Sequence, residues 1–295
     1  MVKFMKNIFN LERVFKNENS SFSFLTLPLR FTKFTLLFIL TFVVMIGLTS
    51  CKKEKTNQDL LSIVKQRGTI IAGVKFDSRP FGFIDADQKL KGFDIDLVRE
   101  IAKRILGDEN AVKFQQVTSS NRIFSLTTGS VDLVAATLTI NSKRRQVIDF
   151  SSPYFIAGQA IMVPEKSAIK SVRNLNGKKV VVVLGSTSEK NIRELAPKAT
   201  VEGFRTYTDA FSALRAGRAD ALTTDDTIIT GFLIENPNFK ILDERYTKEP
   251  YGLGFRKGVD TQSFQQAVNA VLEEIEADGT LDLLRKKWIH KYNNR

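Results

Sequence analysis

A chain of 295 residues with 43% hydrophobic and 26% charged side chains has the composition of a globular protein of about two domains, which excludes a disordered or membrane-embedded class. Its formal charge of +12 raises nucleic acid as a partner, but residues 1–50 hold six Lys/Arg against two Asp/Glu, and the remaining +8 is spread along the chain. With no zinc ligand set, RNP-like aromatic cluster or basic helix, no nucleic-acid partner is expected.

The one cysteine, Cys51, and the one histidine, His290, exclude an internal disulfide and a Cys/His metal site. Ser-His-Asp or Cys-His catalysis would have to use a histidine in the charged tail KKWIH at 286–290, which reads as an exposed helix end. No enzyme activity, no metal and no cofactor are expected.

The first element in chain order is the uncharged apolar run 34–50 (FTLLFILTFVVMIGLTS), preceded by Arg30 and Lys33. It is short of the roughly 20 residues that a spanning helix needs, and a basic flank before such a run is the pattern of a secretory signal. It ends at LTSC (48–51), which resembles the bacterial lipobox. That resemblance implies a signal peptide over 1–50, cleavage before Cys51 and lipid on its thiol and new amino group. The alternative is an uncleaved anchor helix with an incidental cysteine; either leaves the remainder outside the cytoplasm and tethered. The leader is long, and Met5 or a later codon is an alternative start. Residues 51–59 then read as the lipidated terminus and a polar tether.

Beyond residue 60, short apolar runs alternate with amphipathic stretches. The pattern predicts strands over 69–74, 112–117 and 131–135, with helices over 93–106 and through Ile123 and Leu126 between them. A second series follows: strand 179–184, helix 189–195, strand 201–204, helix 210–216, strand 219–223 and helix 227–234. A long helix over 263–277 stops at Asp278-Gly279. Strands alternating with helices imply α/β units and parallel sheets in both halves. SSPYF (151–155) and KEPYG (248–252) interrupt the rhythm and bracket the second series. A chain that leaves one lobe, builds another and returns crosses twice, which makes a hinge. The expected partition is lobe 1 over 60–153, hinge strand 154–158, lobe 2 over 159–248, hinge strand 249–253, and the rest of lobe 1 over 254–295.

GFDIDL at 92–97, followed by Ile101, Ala102 and Ile105, resembles the signature of the family 3 extracellular solute-binding proteins. NRI (121–123), VDL (131–133), TLTI (137–140) with Arg144, DFS (149–151) and PY (153–154) agree, as do NLNGKK (174–179), ADA (219–221), DD (225–226) and KW (287–288). The likeness runs over about 65–292. It implies a two-lobed type II periplasmic-binding-protein-like α/β fold with two crossover strands, a ligand cleft, and closure recognised by an ABC-importer permease. Within the family, GVKFD (73–77) and TTDD (223–226) look most like the glutamate-binding branch.

An amino acid presents a carboxylate and an ammonium, so a site that desolvates it needs fixed donors and a carboxylate. By the resemblance, Arg144 takes the α-carboxylate, helped by Thr139, with Asn141 as a helix N-cap; the alternative for Arg144 is a solvated charge beside Lys143 and Arg145. Asp225 takes the α-ammonium at a strand's C-terminal end, with Asp226 as a helix cap. Thr187, where Gly185-Ser186-Thr187-Ser188 opens a helix, is either a ligand contact or part of an N-cap. Lys75 and Arg122 address a side-chain carboxylate, unless Lys75 points to water. Ser119, Thr137 and Tyr207 are carried over by position alone.

The expected ligand is therefore L-glutamate or a similar polar amino acid, bound by a monomer. A sensor without a transporter, or a dehydratase-like enzyme on the same fold, are the alternatives.

Overall fold

The computed structural model describes residues 59–289. The signal-peptide and Cys51 lipidation expectations, and His290, lie outside the described residues. No described helix is long and apolar enough to cross a membrane.

The first lobe opens with α1 (Leu60–Arg67), β1 (Ile70–Val74) and a small antiparallel sheet of β2 (Asp77–Ser78), β3 (Gly82–Ile84) and β4 (Leu90–Lys91). α2 (Phe93–Leu106), β5 (Val112–Gln116), α3 (Arg122–Thr127), β6 (Leu133–Ala135), α4 (Ser142–Arg145) and β7 (Ile148–Phe150) follow. β8 (Phe155–Ala157) then leads into the second lobe: β9 (Gln159–Pro164), β10 (Lys179–Val183), α5 (Thr187–Leu195), β11 (Thr200–Phe204), α6 (Tyr207–Arg215), β12 (Ala221–Asp225), α7 (Asp226–Leu233) and β13 (Phe239–Ile241). β14 (Glu249–Tyr251) leads back to β15 (Gly254–Arg256), α8 (Gln262–Ala277) and α9 (Thr280–Trp288).

Each lobe is built on a five-stranded sheet, in the orders β5-β1-β6-β15-β7 and β11-β10-β12-β9-β13. The βαβ units supply the parallel pairs, β1 with β5 and β6, and β10 with β11 and β12. β9 and β15 run antiparallel to their neighbours, an addition to the parallel pattern expected from the sequence. Both strands come directly after a crossing strand with no helix between, so the chain enters each sheet without the crossover that a parallel strand requires. The crossing strands pair with each other, Glu249 opposite Ala157 and Tyr251 opposite Phe155.

Aromatic rings pack this ribbon onto the first lobe. Phe81 meets Phe155 at 5.2 Å and Tyr251 at 5.3 Å between centroids, and Phe93 stacks on Tyr154 at 5.8 Å. These rings join a core containing Val74, Ile95, Val98 and Ile101. In α2, Gly107 ends the helix in the left-handed region (φ 82°), and Ile95, Val98, Ile101 and Ala102 form the buried stripe. The rigid parts thus end in strand termini that face one another across the two crossings.

Candidate functional site

The C-terminal ends of the parallel strands place nearly every predicted residue in one cleft, where open α/β sheets present their ligand contacts. On the first lobe, Lys75 directly follows β1 and is only 1% exposed. Its Nζ donates to Ser119 Oγ at 2.8 Å and stands 4.9 Å from the centroid of the Tyr207 ring, which belongs to the second lobe. Burial pulls the Lys75 ammonium down to about 7, against the opposing attraction of Asp77. Lys75 therefore points inward, not to water.

Arg122, at the start of α3, is buried and donates from one Nη to the carbonyls of Ala136 (2.5 Å) and Thr137 (3.1 Å). Those carbonyls are accessible because Thr137 adopts a left-handed backbone (φ 47°) just past β6. A β-branched residue occupies that region only when its surroundings hold it there. The Thr137 hydroxyl donates to Ala136 O at 2.8 Å, and its amide donates to Asp94.

Arg144 is buried, which removes the solvated alternative. Asn141 caps α4 by accepting from the Arg144 amide at 2.9 Å, and the guanidinium donates to Thr139 O at 2.8 Å and across the cleft to Gly185 O at 3.2 Å. Burial first, then the neighbouring Arg122 charge, pulls the Arg144 guanidinium down to about 9. Thr139 thus orients Arg144 through its carbonyl.

On the second lobe, Asp225 closes β12 and is 5% exposed. One oxygen accepts a short hydrogen bond from the Tyr251 hydroxyl; burial first, then the Glu249 charge, raises its carboxyl to about 7. Asp226 is the first residue of α7 and not its cap, a position that falls to Asp225; its carboxylate accepts from the Thr227 amide at 2.8 Å and pairs with Arg245 at 2.8 Å. Ser186 caps α5 by accepting from the Glu189 amide at 3.1 Å, while the Thr187 hydroxyl donates to Glu249 at 2.9 Å. Of the two alternatives, the cap therefore falls to Ser186, and Thr187 faces the crossing strand. Tyr207 begins α6 with its ring buried.

The lobes touch directly at Gly185. Its φ of +78° is the left-handed region, and a Cβ there would lie 2.7 Å from Ser120 Cα and 2.8 Å from Ser119 O. Only glycine permits this approach.

Three carboxylates and two tyrosine hydroxyls of this cleft are not among the residues that the sequence singles out. Asp94 is fully buried, raised to about 6 by burial, and accepts from the Tyr154 hydroxyl (2.8 Å) and the Thr137 amide (3.2 Å). Its signal was legible, since Asp94 shares a helix face with Leu97, Val98 and Ile101. Asp77 accepts from the Tyr207 amide at 2.7 Å, joining the lobes, and stands two residues from Lys75, the spacing of one strand face. Glu249 is 3% exposed, yet nothing in KEPYG marks it as buried. Tyr154 and Tyr251 were readable as crossing aromatics only.

Four buried side-chain atoms are left without partners among the described residues: the hydroxyls of Thr224 and Thr227 beside Asp225 and, from opposite lobes, Arg122 Nε, a donor, and Asp225 Oδ1, an acceptor. Buried polar groups are ordinarily paired, so the last two point to a partner that brings both an anion and a donor. No group of metal-binding side chains occurs among the described residues.

Comparison with known proteins agrees with this geometry. Residues 70–291 match the family "Bacterial extracellular solute-binding proteins, family 3". The chain is 44% identical over 238 residues to the ABC transporter glutamine-binding protein GlnH of Bacillus subtilis, covering 80% of this chain and 86% of that one. It is 30% identical over 251 residues to the glutamate-binding protein GluB of Corynebacterium glutamicum, covering 81% and 84%. Among solved structures, an ancestral arginine-binding protein bound to glutamine superposes with a TM-score of 0.71 at 41% identity, covering 75% of this chain and 98% of that one. These relatives are named as binding proteins, not enzymes. The match over 70–291 and the two-lobed architecture together establish that this chain belongs to the bacterial extracellular solute-binding proteins of family 3.

Proposed function

We propose that this protein captures L-glutamine or L-glutamate between its lobes and presents it to the permease of an ABC importer, as a monomer held at the membrane by lipid on Cys51. The observation that carries the reading is the unpartnered pair of Arg122 Nε and Asp225 Oδ1, a donor and an acceptor that a zwitterion satisfies together. Arg144 would take the α-carboxylate and Asp225 the α-ammonium; Arg122, which the resemblance sets against the side chain, is assigned instead to the α-carboxylate end, because its charge acts on both Arg144 and Asp225. Lys75, held by Ser119 and the Tyr207 ring, would donate to the side-chain carbonyl oxygen that both amino acids share. Thr139, Thr137 and Thr187 act through the groups they hold: Thr139 and Thr137 carbonyls on the arginines, Thr187 on Glu249.

Capture is a population shift. Contacts from both lobes favour the closed form, and a ligand that binds it about 10⁴-fold better moves a 1:99 balance to 99:1. The paired strands Phe155–Ala157 and Glu249–Tyr251 are the proposed hinge, within the partition 154–158 and 249–253. The similarity to relatives named for glutamine and glutamate supports this ligand class.

The test is a thermal-shift screen of the twenty amino acids on residues 52–295. Glutamine and glutamate should give the largest stabilisation, roughly 4 kcal/mol at 1,000 times the dissociation constant. A basic amino acid giving the largest shift would overturn the role of Lys75. For the anchor, labelled palmitate should be incorporated by the native chain and not by Cys51→Ser; equal labelling would remove Cys51 as the lipid site.

A further inference from the structure

The cleft holds its cations in the company of carboxylates. Lys75, Arg122 and Arg144 are buried there, and so are Asp94, Asp225 and Glu249, with Asp77 half-buried at the edge. Three positive groups against four acidic ones leave no surplus of positive charge for an acidic ligand to neutralise. Asp225 faces the ligand's ammonium in the reading above, and Glu249 is bound by the Thr187 hydroxyl. Asp94 is occupied by the Tyr154 hydroxyl and the Thr137 amide.

Asp77 is the carboxylate at the Lys75 end. Its Oδ2 accepts from the Tyr207 amide at 2.7 Å, and the Lys75 ammonium lies 4.9 Å from the centroid of the same residue's ring. The two side chains thus converge on one residue of the opposite lobe. Among the acidic groups that act on Lys75, Asp77 acts most strongly, ahead of Asp94. A carboxylate that acts on the ammonium without pairing with it lowers the net positive field that Lys75 presents. That environment suits a neutral carbonyl oxygen and disfavours a second carboxylate, because like charges brought together in a desolvated site repel.

We propose that Asp77 is the specificity-determining residue of this cleft: its charge, set against Lys75, makes the side-chain end accept an amide in preference to an acid, so that glutamine binds more tightly than glutamate. The inference rests on the proposed reading of the cleft as a glutamine or glutamate site and deepens it. Both ligands share the α-carboxylate and α-ammonium, so the ratio of their affinities cancels everything that Arg122, Arg144 and Asp225 contribute.

Asp77→Asn tests the charge alone. The asparagine carbonyl can still accept from the Tyr207 amide, so a purely structural role in clasping the lobes survives the substitution. Calorimetric titration of the native chain and of Asp77→Asn with glutamine and glutamate at pH 7 gives the two ratios. The native protein should favour glutamine, and the ratio should move toward glutamate by about tenfold or more in the variant, the scale of one charge at an effective dielectric of about 20. Asp77→Ser, which also removes the charge, should move it the same way and serves if the asparagine variant folds poorly. A ratio unchanged in the variants, or a native protein that prefers glutamate, overturns the role of Asp77 and leaves the site standing. Binding of neither amino acid by the native protein overturns the proposed function itself.

Discussion

The two walls of the cleft are built alike and charged differently. Each is a row of strand ends on a five-stranded sheet, yet the first lobe contributes Lys75, Arg122 and Arg144 against Asp77 and Asp94, a surplus of cations, while β12 of the second contributes Asp225, joined by Glu249 from the crossing strand. Burial pushes each group toward its neutral form: Lys75 and Arg144 down to about 7 and about 9, Asp225 up to about 7. Neither wall relieves this alone. A zwitterion laid between them meets the cationic wall with its carboxylate and the anionic wall with its ammonium, so the same molecule completes both, and only when they are close.

Removing the one charge that faces the ammonium breaks the comparison hardest. Asp225→Ala should weaken binding by about 10²–10³-fold, since a buried charge that loses its partner costs roughly 3–5 kcal/mol. The fold should remain, because burial already disfavours the Asp225 carboxylate. Calorimetry and thermal melting report the two separately, and unchanged affinity would falsify the assignment of Asp225.

Next comes the contact between the walls that involves no charge. Gly185→Ala puts a methyl group 2.7 Å from Ser120 Cα in a left-handed conformation. The overpacked contact, about 1–3 kcal/mol, should reduce affinity by roughly 10–100-fold while scattering shows the lobes held apart, and the strained φ should lower the melting temperature without ligand. A variant that closes normally on ligand would mean that the lobes do not meet at this glycine.

The walls were not equally legible in the sequence. The βαβ alternation predicts most strands and helices, and α2 runs over Phe93–Leu106 as the spacing of Ile95, Val98, Ile101 and Ile105 demands. β9 and β15 have no helix before them and no alternation, so their antiparallel entry is set by the crossings and not by local pattern. The cations are found because the family resemblance marks Lys75, Arg122 and Arg144, two of them at a strand end or a helix start. The carboxylates opposing them are harder: Glu249 sits beside a proline, and its burial depends on α5 from 62 residues earlier in the chain. Counting cations without those acids is what favours an acidic ligand when the sequence is read alone.

Acidity should act on the two walls in opposite directions. Asp225 must be ionised to hold an ammonium, so its carboxyl, near 7 in the free protein, should lose its proton on binding. Affinity should then fall about tenfold per pH unit below 7. The groups facing Asp225 are Glu249, Asp226, Tyr251 and Arg122, and of these the Arg122 charge and the Tyr251 hydrogen bond oppose the rise. Lys75 also titrates near 7, with Asp77, Asp94, Arg122 and Arg144 around it, and must be charged to donate fully to a ligand carboxylate. Glutamate affinity should therefore decline above pH 7 as well, giving a maximum near neutrality. A flat profile between pH 5 and 9, measured across that range in matched ionic strength, would show that neither group changes its proton on binding.

The smallest effect separates charge from packing at one atom. Tyr251→Phe keeps the ring that packs on Phe81 and Phe155 and removes only the hydroxyl that donates to Asp225. That hydrogen bond lowers the Asp225 carboxyl against the effect of burial, so its loss should push the carboxyl further up. At pH 7 more of the variant carries a protonated Asp225, and affinity should drop by about three- to tenfold, the scale of an ordinary hydrogen bond of about 1 kcal/mol. Raising the pH ionises Asp225 again, so the deficit should shrink in glutamine titrations at pH 8.5, where the ligand's side chain adds no charge. A deficit that stays constant from pH 7 to 8.5 would mean that the hydroxyl positions the crossing strand and does not tune the carboxylate beside it.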